Sequence, residues 1–413
     1  MNKSENKVYL PININVNYLL TCLFILIALI GILGNILVII SVQIDTHMRR
    51  SLTNRLIVHV ACCDLIILLF NIPDIIQFVS STNGNWILSE IACKLIRSIL
   101  VLAQYSSVLT MCAVTIERFI GIVYPLRSKF LREKIYFTQI TFFVWCFSLL
   151  CTSPNLIYLR VISISSSRCS CLLQYSRKNQ SENQMKYIIH KSIESTIFYF
   201  IPLLLQLFCY IRIARQLSNV DHTLQNSFNL IKKHNSQRTQ DDIDDEEDFI
   251  GNDENMGSKI TIANSFVNSS NGRHDHNCRQ GNRFFVKYLS VNNKFSLSTL
   301  KSRHETNDVY QSNVTYKALK SRRGVIKMLS VVVLIYFTSF SPQVLVFILF
   351  DTNAIRSVPQ FIQTPYFMAF TMLLVTISSA SNPIVYSIFC SKFRQNFARI
   401  FRRLFFCHRK NFI

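Results

Sequence analysis

Charge is scarce in this chain. Asp, Glu, Lys and Arg make up 16% of its 413 residues, whereas a soluble domain carries about 25%. With 50% hydrophobic residues and 32 Phe, a water-exposed globule is disfavoured and a membrane protein is the first expectation. Patterned cysteine is also missing: the 13 Cys show no repeating spacing, which excludes a disulfide scaffold and a zinc ribbon. Internal repeats and paired Gly-interrupted half-helices are absent too, which argues against a transporter or channel built around a midplane site. His59 is the one histidine clearly inside an apolar segment, too few for the metal set of a membrane-embedded hydrolase. No enzymatic activity is expected.

What the chain does have is apolar residues gathered in long blocks, near 18–42, 53–79, 91–123, 134–158, 187–215, 324–350 and 361–389. Each exceeds the roughly 18 to 20 residues that cross about 30 Å of hydrocarbon as a helix. An all-α membrane protein is expected, with seven transmembrane helices in a bundle. The first block is longer than the roughly 7 to 15 apolar residues of a cleaved signal peptide and should stay as an anchor. Short connections on one side carry Arg49, Arg50, Arg127, Lys129, Arg402 and Arg403. Because cytoplasmic loops hold the excess of Lys and Arg, that side is expected inside. Residues 1–17 then face the outside of the plasma membrane, spans one to five occupy 18–215, and spans six and seven occupy 322–389. The net charge of +21 is mostly juxtamembrane charge facing anionic lipid, and no nucleic-acid partner is expected.

Residues 216–321 break the pattern. They are rich in Asn, Ser, Asp and Lys, with the acidic run QDDIDDEEDFIGNDEN at 240–255, and bury too little apolar surface to fold alone. They are expected to form a disordered third cytoplasmic loop. Sequons at Asn2 and Asn179 lie on the outer side, where glycosylation is topologically possible; those at Asn268 and Asn313 lie inside, where it is not. In 390–413, KFRQNFARIFRRLFF places Phe393, Phe397, Ile400, Phe401 and Leu404 on one helical face among Arg394, Arg399, Arg402 and Arg403. Such an amphipathic eighth helix lies in the headgroup plane, and Cys407 just beyond that face is a palmitoylation candidate, with an unmodified thiol the alternative.

Polar side chains in a bilayer are expensive and usually face the bundle interior. Those inside the spans include Asn35, Asp64, Asp74, Gln104, Ser107, Glu117, Arg118, Glu194, Gln343, Ser378, Ser379 and Asn382, and Pro202, Pro342 and Pro383 sit in mid-span. In order along the chain run GNILV with Asn35, HVACCD with Asp64, Trp86 ahead of Cys93, and ERF with Arg118. Trp145, Pro202 with Tyr210, FTSFSP with Pro342, and NPIVY with Asn382 and Tyr386 follow. This set resembles the rhodopsin-like (class A) G-protein-coupled receptors over the whole chain except its head and the 216–321 linker. The overall look is similar to invertebrate neuropeptide receptors of the FMRFamide and thyrotropin-releasing-hormone type.

The resemblance implies a receptor that passes ligand binding to a heterotrimeric G protein, with arrestin and receptor kinases as further partners. It makes Glu117, Arg118, Tyr210, Phe340, Pro342, Asn382, Pro383 and Tyr386 the activation switch. Arg118, held by Glu117 in the off state, would be released toward the G protein, with Tyr210 and Tyr386 rearranging toward it. Two departures stand out: the toggle Trp of the family is Phe340 here, and Arg322 stands where many relatives carry an acid that bridges to the Arg. Asp64, Ser107, Ser379 and Asn382 match the family's sodium cluster, the alternative being a hydrogen-bonded polar core. No other cofactor is implied. Cys93 should bond to the second outer loop, where RCSCLL offers Cys169 or Cys171, and Cys171 is the expected partner.

Leu100 fills the position where amine receptors carry Asp, which disfavours an amine, and 361–389 holds no Lys for a retinal Schiff base. Asp74 and Glu194, with no evident partner in their own helices, are expected to receive a cationic ligand group. Leu100, Gln104, Gln343 and Phe347 would complete the pocket. A two-strand hairpin from SSSRCSCLLQY and the aromatics Phe350, Tyr366 and Phe367 suit an extended amidated peptide ending in Arg-Phe-amide. The alternatives are a non-peptide ligand or, further off, a transporter.

Overall fold

Apolar length decides the architecture. The structure, a computed structural model, describes residues 14–80, 86–124, 134–165, 168–220, 222–223, 226, 305–348 and 365–407. Among these, seven helices are long and apolar enough to cross a membrane. They lie in α1 (Ile14–Ile44), α3 (Leu52–Ser80), α4 (Glu90–Val123), α5 (Lys134–Tyr158), α6 (Gln180–Val220), α7 (Glu305–Val346) and α8 (Pro365–Phe389). A short α2 (Thr46–Arg50) links the first pair, and α9 (Ser391–Cys407) follows the last. Residues Arg212–Leu300 form a unit of their own; the bundle is built by Met1–Ile211 with Lys301–Ile413.

Within the bundle α3 lies between α1 and α4, and α8 packs on α1, α3 and α7. Large apolar side chains point away from this core, among them Leu19, Phe142, Leu150, Leu204 and Leu334, all at least 65% exposed. Water would penalise that surface, whereas a bilayer accepts it. In the largest inner cluster Tyr105, Val108 and Met111 of α4 meet Phe198 of α6, Met328, Val332 and Tyr336 of α7, and Val385 and Tyr386 of α8. Glycines set the closest approach. A Cβ on Gly31 would come 2.8 Å from Ala380 Cβ, and one on Gly34 would come 2.9 Å from Pro383, so α8 can lie against α1 only because both positions lack a side chain.

Local chemistry fixes the element ends. Ser89 caps α4 by accepting from Ala92 N at 3.3 Å, with Glu90 in the first turn suited to the helix dipole. Asp45 caps α2 by accepting from His47 N at 2.9 Å and Met48 N at 3.1 Å. Those bonds, Met48 first, hold its carboxyl below the usual value.

Three boundaries differ from the sequence expectation, and one helix carries an irregular turn. The fifth transmembrane helix starts at Gln180 rather than near 187. Its first turns are polar and invisible to hydropathy, yet Asn179 caps them through Ser181 N and Glu182 N, and Lys186 pairs with Glu182 at 2.7 Å. The sixth extends back to Glu305, into the stretch read as linker, because adding turns to an existing helix is far easier than nucleating one. The hairpin comprises β1 (Leu159–Ser165) and β2 (Arg168–Leu173), antiparallel with Val161 opposite Cys171. Its first strand therefore starts ahead of SSSRCSCLLQY, in the LRVISIS stretch rich in β-branched residues that directly follows the fourth apolar block. Finally, Thr196–Phe200 form a π turn just ahead of Pro202, whose missing N–H disturbs the α-helical ladder there. Asn2, residues 240–255, Asn268 and Phe350 lie outside the described residues, as do the side chains of Asn313, Arg322, Tyr366 and Cys407.

Candidate functional site

Three levels of the bundle gather polar residues. At one end, Glu117 and Arg118 occupy consecutive positions near the close of α4, with Glu117 Oε2 at 3.3 Å from Arg118 Nε and side chains 21% and 28% exposed. Thr53, fully buried at the start of α3, donates its hydroxyl to the same carboxylate oxygen. Glu117 thus joins α3 to α4 while holding its neighbour. Thr115, one turn before Arg118, has its hydroxyl 3.4 Å from that of Tyr210. Tyr386 is 2% exposed and stacks on Phe393 of α9 at 5.5 Å between ring centres. Asn396 anchors α9 to the same region by donating to Ser41 O at 3.2 Å.

In the middle, Asp64, Gln104, Ser107, Phe340, Ser379 and Asn382 line one small cavity. Asn382 Nδ2 donates to Asp64 Oδ2 at 2.6 Å, and Asn35 Nδ2 donates to Ser379 O at 3.1 Å and Gly31 O at 2.9 Å. The ladder continues with Asn71 Nδ2 donating to Thr376 Oγ1 at 2.8 Å. These bonds satisfy polar groups that the core would otherwise penalise. Among the described residues no group of three or more His, Cys, Asp and Glu could hold a metal. One carboxylate with hydroxyl and amide oxygens nevertheless fits a hard monovalent cation. Tyr336 lines the same cavity, and its ring centre lies 4.5 Å from that of Phe340. Just beyond, Ser341 Oγ donates to Phe337 O at 2.6 Å and lies 2.7 Å from Tyr199 Oη, joining the π turn of α6 to α7 beside Pro342.

At the other end Cys93 and Cys171 form the expected disulfide. It packs with Trp86 and Leu159, Trp86 N donates to Cys169 O at 2.8 Å, and Arg160 of β1 reaches Glu90 at 3.1 Å. Cys169 stays outside the disulfide, its Sγ 3.5 Å from Ser163 Oγ.

The two acids expected to await a ligand are already paired here. Arg97 Nη2 lies 2.9 Å from Asp74 Oδ1. Glu194 Oε2 lies 2.6 Å from Lys191 Nζ and 3.6 Å from His190 Nε2. The reason is spacing and packing: Lys191 and His190 precede Glu194 by three and four positions and share its face, while Arg97 faces the neighbouring α3. Burial pushes the phenol of Tyr175, which packs beside His190 at 5.9 Å, up to about 12. Leu100 is buried and Phe347 is buried beyond Pro342, whereas Gln343, expected in the pocket, is exposed. Asn179 is occupied as the cap of α6 and remains at its exposed start.

Sequence reasoning missed Thr53, Arg97, Lys191, His190, Tyr199 and the glycine Gly31. Spacing alone could have found the Lys191–Glu194 pair. Arg97 also follows Cys93 by one turn, on the stripe of Leu100 and Gln104. Nothing local signals that Thr53 meets Glu117, 64 positions away.

A seven-helix bundle with a polar middle, a disulfide-tied hairpin at one end and an acid–arginine pair at the other defines a transmembrane receptor. The family model described as "7 transmembrane receptor (rhodopsin family)" matches residues 34–386, and the chain belongs to that family of G-protein-coupled receptors, which are not enzymes. It is 26% identical over 385 residues to neuropeptide receptor 15 of Caenorhabditis elegans, covering 91% of this chain and 87% of that one. It is also 26% identical over 406 residues to the thyrotropin-releasing hormone receptor of Mus musculus, covering 97% and 83%. Over 222 residues it is 28% identical to galanin receptor type 1 of Mus musculus, covering 54% and 62%.

Proposed function

We propose that this receptor is gated by an amidated neuropeptide at its disulfide end, outside the cell, and drives nucleotide exchange on a heterotrimeric G protein at its Glu117–Arg118 end, inside. The observation that carries the ligand class is the kinship: the relatives named above are a neuropeptide receptor, a hormone receptor and a galanin receptor. The β1–β2 hairpin, tied by Cys171 to the top of α4, supplies an edge and a rim suited to an extended chain.

In the off state Glu117 and Thr53 hold Arg118 against the bundle. Ligand binding shifts the equilibrium toward a second packing in which that hold is broken, at a coupling of about 1 to 3 kcal/mol. Pro342 and Pro383 loosen α7 and α8 where the movement is needed, and the paired rings of Phe340 and Tyr336 form part of the cavity wall. Asp64, Ser107, Ser379 and Asn382 would hold a sodium ion in the off state, which neutralises the buried carboxylate.

Cells expressing the chain and challenged with a panel of amidated peptides test this reading through calcium and cyclic-AMP signals. A response to at least one peptide is expected; silence to all of them with a response to a lipid or amine would overturn it.

A further inference from the structure

We infer that Arg97 grips an oxygen acceptor at the end of the ligand, a carboxamide or carboxylate oxygen, so that this receptor recognises its ligand with a cation and not with its acids. The inference rests on the peptide reading above and adds the chemistry of one contact.

In both pairs that hold the acids expected to meet a ligand, the base is the more exposed partner. In the Asp74–Arg97 pair the acid side chain is 6% exposed and the arginine 32%. In the Glu194–Lys191 pair the acid is 19% exposed and the lysine 27%. A ligand cation seeking Asp74 would have to displace a guanidinium at 2.9 Å, whereas a ligand acceptor meets one already presented.

Arg97 is also under-used. A guanidinium carries five N–H donors, and the described bond to Asp74 engages one nitrogen. Its Nε is buried without a hydrogen-bond partner. The Trp86 ring lies 5.7 Å from its Cζ, which holds the planar group by cation–π attraction and leaves its remaining edge donors for another acceptor. Position completes the case. Residues 97, 100 and 104 share one face of α4, and Gln104 on that face lines the interior cavity, so Arg97 stands above the entrance to the polar middle of the bundle. Gln77, one turn from Asp74 on α3, accepts from Ile87 N and Leu88 N at 3.1 Å, fixing the connection that carries Trp86 and hence the position of the arginine.

The alternative is that Arg97 only neutralises Asp74, and a pair of variants separates the two. Wild type, Arg97→Gln, Asp74→Asn and the double variant are compared for potency of the amidated peptides and their free acids, at surface levels matched by an amino-terminal epitope tag. Arg97→Gln should lose about tenfold or more in potency, the worth of one charge-assisted bond. Asp74→Asn, which keeps an acceptor for the guanidinium, should lose less potency than Arg97→Gln, and the double variant, which leaves no unpaired buried acid, should stay as weak as Arg97→Gln. A ligand ending in a carboxylate would show higher potency for the free acid, and one ending in a carboxamide the reverse. Recovery of potency in the double variant, or an unaffected Arg97→Gln, would overturn the inference while leaving the peptide reading intact. If no peptide activates the wild type, the peptide reading itself fails and this contact with it.

Discussion

Replacing Glu117 by Gln should raise signalling in the absence of ligand. The substitution keeps size and one acceptor oxygen but removes the charge beside Arg118. At 21% and 28% exposure the ion pair contributes about 0.2 to 1 kcal/mol. The Thr53 hydroxyl bond to a carboxylate contributes about 1.5 to 3 kcal/mol, and to a neutral amide oxygen about 0.5 to 1.5. The loss to the off state is therefore on the order of 1 to 2 kcal/mol, which raises the active fraction by about 5- to 30-fold from a low resting value. Arg322, twenty residues before Pro342, supplies no carboxylate to take over the hold. Basal cyclic-AMP or calcium signalling at matched surface expression reads the effect. Thr53→Val, which removes the hydroxyl and leaves the charge, loses that bond outright and should raise basal activity in the same direction by a comparable factor. Unchanged basal signalling in both variants would refute the role given to this contact.

Gly34→Val should reduce the yield of folded receptor, because the new Cβ would lie 2.9 Å from Pro383 and overpacking costs about 1 to 3 kcal/mol; thermal melting of the purified protein measures it. Cys171→Ser should strip the hairpin of its tie to α4 and lower surface expression and potency, while Cys169→Ser, which leaves the Cys93–Cys171 bridge untouched, should leave both near wild type; non-reducing peptide mapping confirms which bridge remains. Asp45→Ala should lower stability by about 1 kcal/mol through loss of the α2 cap. Because the folded carboxyl is held below its ordinary 3.8, that contribution is present above the unfolded value and lost as pH falls through the folded one. Melting temperatures of wild type and Asp45→Ala should therefore differ at neutral pH and converge below about pH 4.

The seven helices were legible because each must carry enough apolar residues to cross a membrane, a demand that leaves its mark on any such chain. The polar residues of the middle were legible for the converse reason: Asp64, Ser107, Ser379 and Asn382 stand out against an apolar background, and the structure sets them around one cavity. Polar extensions were not, since the turns begun at Gln180 and Glu305 are held by capping and by continuation of a helix, which hydropathy does not register. Partner choice was harder still. Asp74 and Glu194 look alike in sequence, as lone acids in apolar runs, yet one is paired across two helices and the other within its own. Thr53 reads as an unremarkable hydroxyl at the start of α3, and only the packing of α3 on α4 brings it to Glu117.

Ligand-driven nucleotide exchange is the most direct test of the function. Purified receptor in lipid nanodiscs is mixed with heterotrimeric G protein and a peptide that activates it in cells, and the rate of GDP release is followed. The expected result is faster release with peptide than without, higher peptide-free release for Glu117→Gln, and no acceleration for Arg118→Ala. A peptide that binds without accelerating release from any G protein, or an Arg118→Ala receptor that accelerates it as well as the wild type, would contradict the mechanism.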